Sequence, residues 1–148
     1  MAKANSKGMY ANGRGKNTQQ YFKAVHAIFD HPDYVSMNAT PKALLWDLTR
    51  QFNGKNNGDL TLAPKTMEKW GWKKDTLQRH RNTLIDHGWI IITGCKKVRK
   101  GNCYLYALSW LEVNECNGKL FPDAYSHKPR SLRLSGSNLR LLKGSKAA

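Results

Sequence analysis

Residues 73–110 decide the fold. They begin Lys73-Lys74-Asp75-Thr76-Leu77-Gln78-Arg79-His80-Arg81-Asn82-Thr83-Leu84-Ile85-Asp86-His87-Gly88 and continue Trp89-Ile90-Ile91-Ile92-Thr93. After Lys96-Lys97-Val98-Arg99-Lys100-Gly101-Asn102 the stretch ends Tyr104-Leu105-Tyr106-Ala107-Leu108-Ser109-Trp110. Leu77, Leu84 and Ile85 recur at helical spacing, and Gly88 is a C-terminal stop, so a helix is expected over about 75–87. Opposite its apolar stripe lie Asp75, Arg79, Asn82 and Asp86, flanked by Thr76, Gln78 and Thr83. The β-branched run 89–93 and the alternation in 104–110 predict two strands. Between them four cations, Lys96, Lys97, Arg99 and Lys100, fall within five residues beside Gly101-Asn102, which suits a hairpin reaching past the core.

Upstream, Thr40-Pro41 predicts a helix start, with Thr40 as N-cap and Pro41 at the first helical position. Leu44, Leu45, Trp46, Leu48 and Phe52 give that helix a broad apolar face. Gly54-Lys55-Asn56-Asn57-Gly58 breaks the chain, and Leu60-Thr61-Leu62 suits a short strand. Residues 64–70 suit a second helix of about two turns, and Gly71 makes the turn into the helix at 75. The expected order is therefore helix, strand, helix, turn, helix, hairpin.

Thr76-Leu77-Gln78-Arg79 with Leu84, followed by Gly88-Trp89-Ile90, is similar to the recognition-helix and first-strand pattern of winged-helix regulators such as the MarR type. The helix carrying Lys42-Ala43-Leu44-Leu45, the loop at 53–59, Gly71-Trp72 and the strand at 105–110 occur together in an order that resembles small helix-turn-helix proteins of bacterial prophages and mobile elements. The resemblance covers about residues 31–113. It implies an α+β winged helix-turn-helix domain, with a three-helix core and a small antiparallel sheet or wing. It also implies DNA binding, in relatives that are transcriptional regulators or replication-associated factors.

On that reading Thr76, Gln78, Arg79 and Asn82 face base edges. Arg pairs with guanine, and Gln or Asn with adenine, in the major groove. Lys73 and Lys74 at the helix entrance, with Lys96, Lys97, Arg99 and Lys100 of the wing, are expected on the DNA backbone. A solvated helix face and a solubilising hairpin are the plain alternatives. Their occurrence together in this order argues for the pair acting jointly.

The distribution of charge points the same way. The chain of 148 residues carries 25 Lys and Arg against 10 Asp and Glu, a net charge of +15, which favours a polyanionic partner. Four of the cations lie in residues 1–17 and six in 126–148, and neither segment holds an acid. Two basic, disordered tails are thus expected at 1–17 and 126–148, around one domain at 18–125. Within the second tail Leu132, Leu134, Leu139, Leu141 and Leu142 are able to dock on the body. Tyr21, Phe22, Val25, Ile28 and Phe29 follow helical spacing, which predicts an added N-terminal helix from about 18 to 30 that closes the core or supports a homodimer.

Chemistry of other kinds finds little footing. The sequence holds no Gly-rich phosphate loop, no His-Glu-x-x-His and no Gly-x-Ser-x-Gly, so no enzyme and no cofactor are expected. Cys95, Cys103 and Cys116 lack the paired spacing of a metal site, although Cys95 and Cys103 flank the wing as if to face one another. With no apolar stretch of 18 residues, a cytoplasmic protein without a membrane role is expected. Double-stranded DNA is the expected partner. The alternative is a protein-interaction module, such as a phage-encoded inhibitor of a host or defence protein or ribonucleoprotein.

Overall fold

The computed structural model describes residues 20–133. The expected tail at 1–17, and the part of the second tail beyond 133, lie outside the described residues, as do Leu134, Leu139, Leu141 and Leu142.

Among the described residues the chain forms five helices and one three-stranded antiparallel sheet, an α+β arrangement. Short helices α1 (His26–Phe29) and α2 (Pro32–Val35) lead into α3 (Ala39–Thr49). Strand β1 (Leu60–Thr61) follows, then α4 (Pro64–Met67) with a 3-10 turn (Glu68–Trp70), and then α5 (Lys74–Asp86). Strands β2 (Ile90–Val98) and β3 (Gly101–Leu108) make the hairpin, and 3-10 turns at Cys116–Gly118 and Pro122–Ser126 complete the order. The strands run β1-β3-β2, so β3 is central.

Three local expectations need correction. Only His26–Phe29 of the N-terminal helix forms within the described residues: Val25 is extended, and Phe22 and Phe29 each stack on the Trp46 ring at 5.9 and 5.2 Å. Aromatic packing on one indole thus replaces a continuous amphipathic helix. The cap of α3 is Asn38, not Thr40, so Pro41 is the third helical residue; its missing N–H still belongs to the orphan first turn, and the helix tolerates it. The hairpin is also longer than its cation run implied. Lys96 and Lys97 are in β2, paired with Cys103 and Asn102, and only Arg99-Lys100 turn the chain before Gly101 at φ +129°.

The main core lies between the helices and one sheet face. Leu44, Leu45, Leu48, Leu60, Leu84, Trp89 and Leu108 are fully buried in it, with Met67, Leu77, Ile90 and Tyr106 beside them. The other sheet face is covered near its base by Leu120 and Ala124, packed on Leu105. With both faces covered, Leu105, Tyr106, Ala107 and Leu108 are buried in succession, where a half-solvated strand would alternate. A bulge at Thr93 shifts the register between Ile92 and Gly94. There the Thr93 hydroxyl donates to Gly58 O at 2.6 Å and its carbonyl accepts from Phe121 N, so the extra residue ties three segments together.

Packing continues past residue 125. The Arg130 backbone N donates to Ser109 O at 2.7 Å, and its guanidinium lies 4.4 Å over the Trp89 ring. That guanidinium also donates to His87 O at 2.7 Å and to the Asp33 carboxylate. Leu132 then packs on the main core. The segment read as a flexible tail is therefore seated on the body as far as Leu132.

Candidate nucleic-acid interface

Helix α5 is positioned from both ends. Before it, Gly71 adopts φ +82°, a left-handed conformation that an L side chain rarely takes, and turns the chain after the 3-10 turn. The next residue, Trp72, donates its indole N–H to Asp47 Oδ2 at 2.6 Å, which anchors that turn to α3. Behind the helix, Ser109 donates to Gly88 O at 2.6 Å and the Arg130 strap holds His87. Leu77 and Leu84 fix its rotation by entering the core.

With that rotation set, the α5 surface divides into two stripes. Lys74, Gln78 and Arg81, at i, i+4 and i+7, lie on the side facing the hairpin. Asp75, Arg79, Asn82 and Asp86 are exposed on the outward side. Between the first stripe and the hairpin is a cleft of about 1040 Å³, roofed by Val98, Arg99, Lys100 and Asn102 and closed behind by Leu62, Ala63, Pro64 and Lys65 at the start of α4. Five cations line it, Lys65, Lys74, Arg81, Arg99 and Lys100, and among the described residues its lining holds no carboxylate.

The residues expected on the DNA backbone therefore separate. Lys74, Arg99 and Lys100 line the cleft. Lys73 is the extended N-cap residue of α5, and Lys97 is exposed on β2; neither is part of the lining. Lys96 is drawn the other way, its Nζ 3.3 Å from Asp59 Oδ1, while Lys119 takes Oδ2 at 3.2 Å. Of the expected base readers only Gln78 borders the cleft. Arg79 stands exposed on the outward stripe, and Thr76 is half-buried. The Asn82 Oδ1 atom accepts from Arg81 Nε and Nη2 at 3.2 and 3.0 Å, so part of its amide is already engaged.

Arg81 and Lys65 are the cleft cations that sequence reasoning missed. The third Arg81 nitrogen reaches Tyr106 Oη at 3.4 Å, steadying the guanidinium between helix and sheet. Burial pushes the Tyr106 phenol above its usual range, with Arg81 acting in the opposite sense, so the ring stays neutral at neutral pH. His80 is held below its ordinary value by burial and by Arg79, and adds no charge to the interface at neutral pH.

Nor do the cysteines flanking the hairpin make a pair. Cys95 is opposite Tyr104 and Cys103 opposite Lys96, so successive side chains put the two thiols on opposite sheet faces. All three cysteines are free thiols, no group of three or more His, Cys, Asp or Glu among the described residues is arranged to hold a metal ion, and no helix among them is long and apolar enough to cross a membrane.

No protein-family model, curated protein or solved structure matches the chain. The physical character of the cleft and its surroundings is therefore the ground for a functional reading.

Proposed function

We propose that the chain is a winged helix-turn-helix protein that binds duplex DNA, with α5 as its recognition helix and the β2–β3 hairpin as its wing. The observation that carries this reading is the cleft between those two elements, lined by five cations and no carboxylate among the described residues. A duplex backbone offers one negative charge per about 1.7 Å of axis, and a cation-lined slot beside an exposed helix suits one strand of it. The element order from α3 to β3 and the β1-β3-β2 sheet are those of a winged helix-turn-helix, which supports the assignment.

In this mode phosphates seat on Lys65, Lys74, Arg99 and Lys100, while Gln78 and Arg79 read base edges. Lys73, the N-cap of α5, contributes no side-chain hydrogen bond, so the first-turn amides remain to meet phosphate or solvent. Asp75 and Asp86 on the outward stripe repel phosphates. Phosphates accordingly track along the hairpin side of α5, and Arg79, flanked by those two carboxylates, is left to a base edge. The roles that fit are those the resemblance implies, a transcriptional regulator or replication-associated factor of a phage or mobile element. One observation favours the protein-interaction reading instead: Tyr21, Val25, Phe29 and Val35 leave apolar surface exposed on the N-terminal side.

Selection of preferred sequences from a random duplex pool, followed by fluorescence anisotropy at about 150 mM salt, tests the assignment. Enrichment of one sequence with tighter binding than random duplex supports it. Failure to hold any duplex at that salt overturns it in favour of a protein partner.

A further inference from the structure

The cleft beside α5 holds more than a phosphate track needs. Around its cations are Leu62, Ala63, Pro64, Val98 and Tyr104, and three of these stay open to solvent, Pro64, Val98 at 53% and Tyr104 at 39% exposure. Tyr104 lies on the same sheet face as Tyr106, two residues nearer the hairpin tip, because successive β3 side chains alternate. Strand β1 pairs only with Leu105 and Tyr106, so β3 has no β1 partner beside Tyr104 and the cleft opens there. At about 1040 Å³ the cleft is just larger than the range of about 300–1,000 Å³ typical of small-ligand sites.

A sugar–phosphate strand crossing this space satisfies the cations and leaves the phenol ring uncovered. An occupant that satisfies both parts carries a flat apolar ring and negative charge together. Such a group also finds amide donors and acceptors in Gln78 and Asn102 on opposite walls. Resting on the duplex-binding reading above, we infer that the cleft takes an unpaired nucleotide at the end or at a break of a duplex. Its base lies against Tyr104, and its flanking phosphates meet Lys74, Arg99 and Lys100. Stacking on an aromatic ring is open to every base, so the site recognises the unpaired state and not a sequence.

The test compares fluorescein-labelled duplexes identical except for a short single-stranded overhang, 3′ or 5′, measured by anisotropy on the full chain. The overhang duplex binds about tenfold tighter than the blunt one. Tyr104→Ala removes that difference and leaves blunt-duplex affinity as it was, and Tyr104→Phe keeps the difference. Circular dichroism melting confirms that each variant is folded. Equal binding of blunt and overhang duplexes by the wild-type chain overturns the inference and leaves duplex binding standing. So does an equal loss on both duplexes in Tyr104→Ala, or competition by a poly-glutamate peptide as strong as that by a free overhang strand. Absence of binding to every duplex overturns the duplex reading, and the inference with it.

Discussion

Asp59 pulls Lys96 onto the body of the domain, at 3.3 Å from Nζ to Oδ1, although Lys96 belongs to the same cation run as Arg99 and Lys100 at the hairpin tip. An ion pair this exposed adds little to stability, about 0–1 kcal/mol, yet it sets where the charge points. Lys96→Ala is therefore expected to change the salt dependence of DNA binding less than Arg99→Ala or Lys100→Ala. Anisotropy titrations across a salt series check it: removing a cation that truly neutralises a phosphate lowers the slope of log affinity against log salt by about 0.9. A drop for Lys96→Ala as large as for Arg99→Ala would show that the Asp59 pair does not persist.

The proposed duplex-binding reading gives base contacts to Gln78 beside the cleft and Arg79 on the exposed stripe. Replacing either by Ala should weaken binding to a preferred duplex by about 1–3 kcal/mol and leave random-duplex affinity nearly unchanged. Equal losses on both kinds of DNA would mean that these side chains meet only the backbone.

Asn57 is fully buried, and its amide acts as an extra piece of strand backbone. Its Oδ1 accepts from Leu108 N at 2.7 Å, and its Nδ2 donates to the Leu108, Leu111 and Glu112 carbonyls at 3.1, 3.3 and 2.9 Å. Asn57→Ala strands these groups in the interior and should cost about 2–4 kcal/mol, visible as a lower denaturant midpoint at unchanged m-value. Asn57→Asp restores an acceptor but no donor, and should be no more stable than the alanine variant. A neutral result for either would remove Asn57 from the account of the fold.

His31 makes the domain sensitive to acid. Its Nδ1 accepts the Asp33 N–H that caps α2 at 3.2 Å, and its ring packs edge-on against Trp89. Burial, then the Arg130 charge, hold its pKa below the ordinary 6.5, outweighing the opposing pull of Asp33. The folded state thus prefers the neutral ring. The resulting stability is complete above about pH 6.5, where the unfolded chain is also neutral, and is lost as pH falls from there through the lower folded value. Melting temperature should accordingly fall between about pH 7.5 and 5.5, and fall less in His31→Asn, which keeps an N-cap and does not titrate. His80 is lowered in the same direction and contributes to the residual slope in that variant. Identical profiles for wild type and His31→Asn would rule out His31 as the source.

Much of the helix and strand order was legible because it rests on local periodicity. Leu77, Leu84 and Gly88 delimit α5 as spaced, and Ile90 and Leu108 fall in strands where β-branched and alternating runs put them. What escaped depends on neighbours distant in sequence. Asn57 reads as one more loop breaker until Leu108, 51 residues later, comes to meet it. Arg130 reads as tail composition because Trp89, His87 and Asp33, which hold it, are far away in the chain. The candidate site was legible in its elements and less so in its residues. Arg81 sits next to the apolar stripe on a helical projection, a position that suggests core edge, and only the hairpin opposite turns that edge into a cleft wall. Lys65 is in the first turn of a helix that showed no charge pattern. The Lys96–Asp59 pair escaped for a converse reason, since no pattern within 96–102 signals a carboxylate at Asp59.

The central claim, that the cleft between α5 and the hairpin is an electrostatic seat for duplex DNA, is tested most directly by one salt series. Wild type is compared with a variant carrying Lys65→Ala, Lys74→Ala, Arg99→Ala and Lys100→Ala, none of which is buried. The account predicts that the slope of log affinity against log salt falls in magnitude by about 0.9 for each phosphate these side chains neutralise, with the melting temperature unchanged. A slope identical to that of the wild type, in a variant that remains folded, would contradict it.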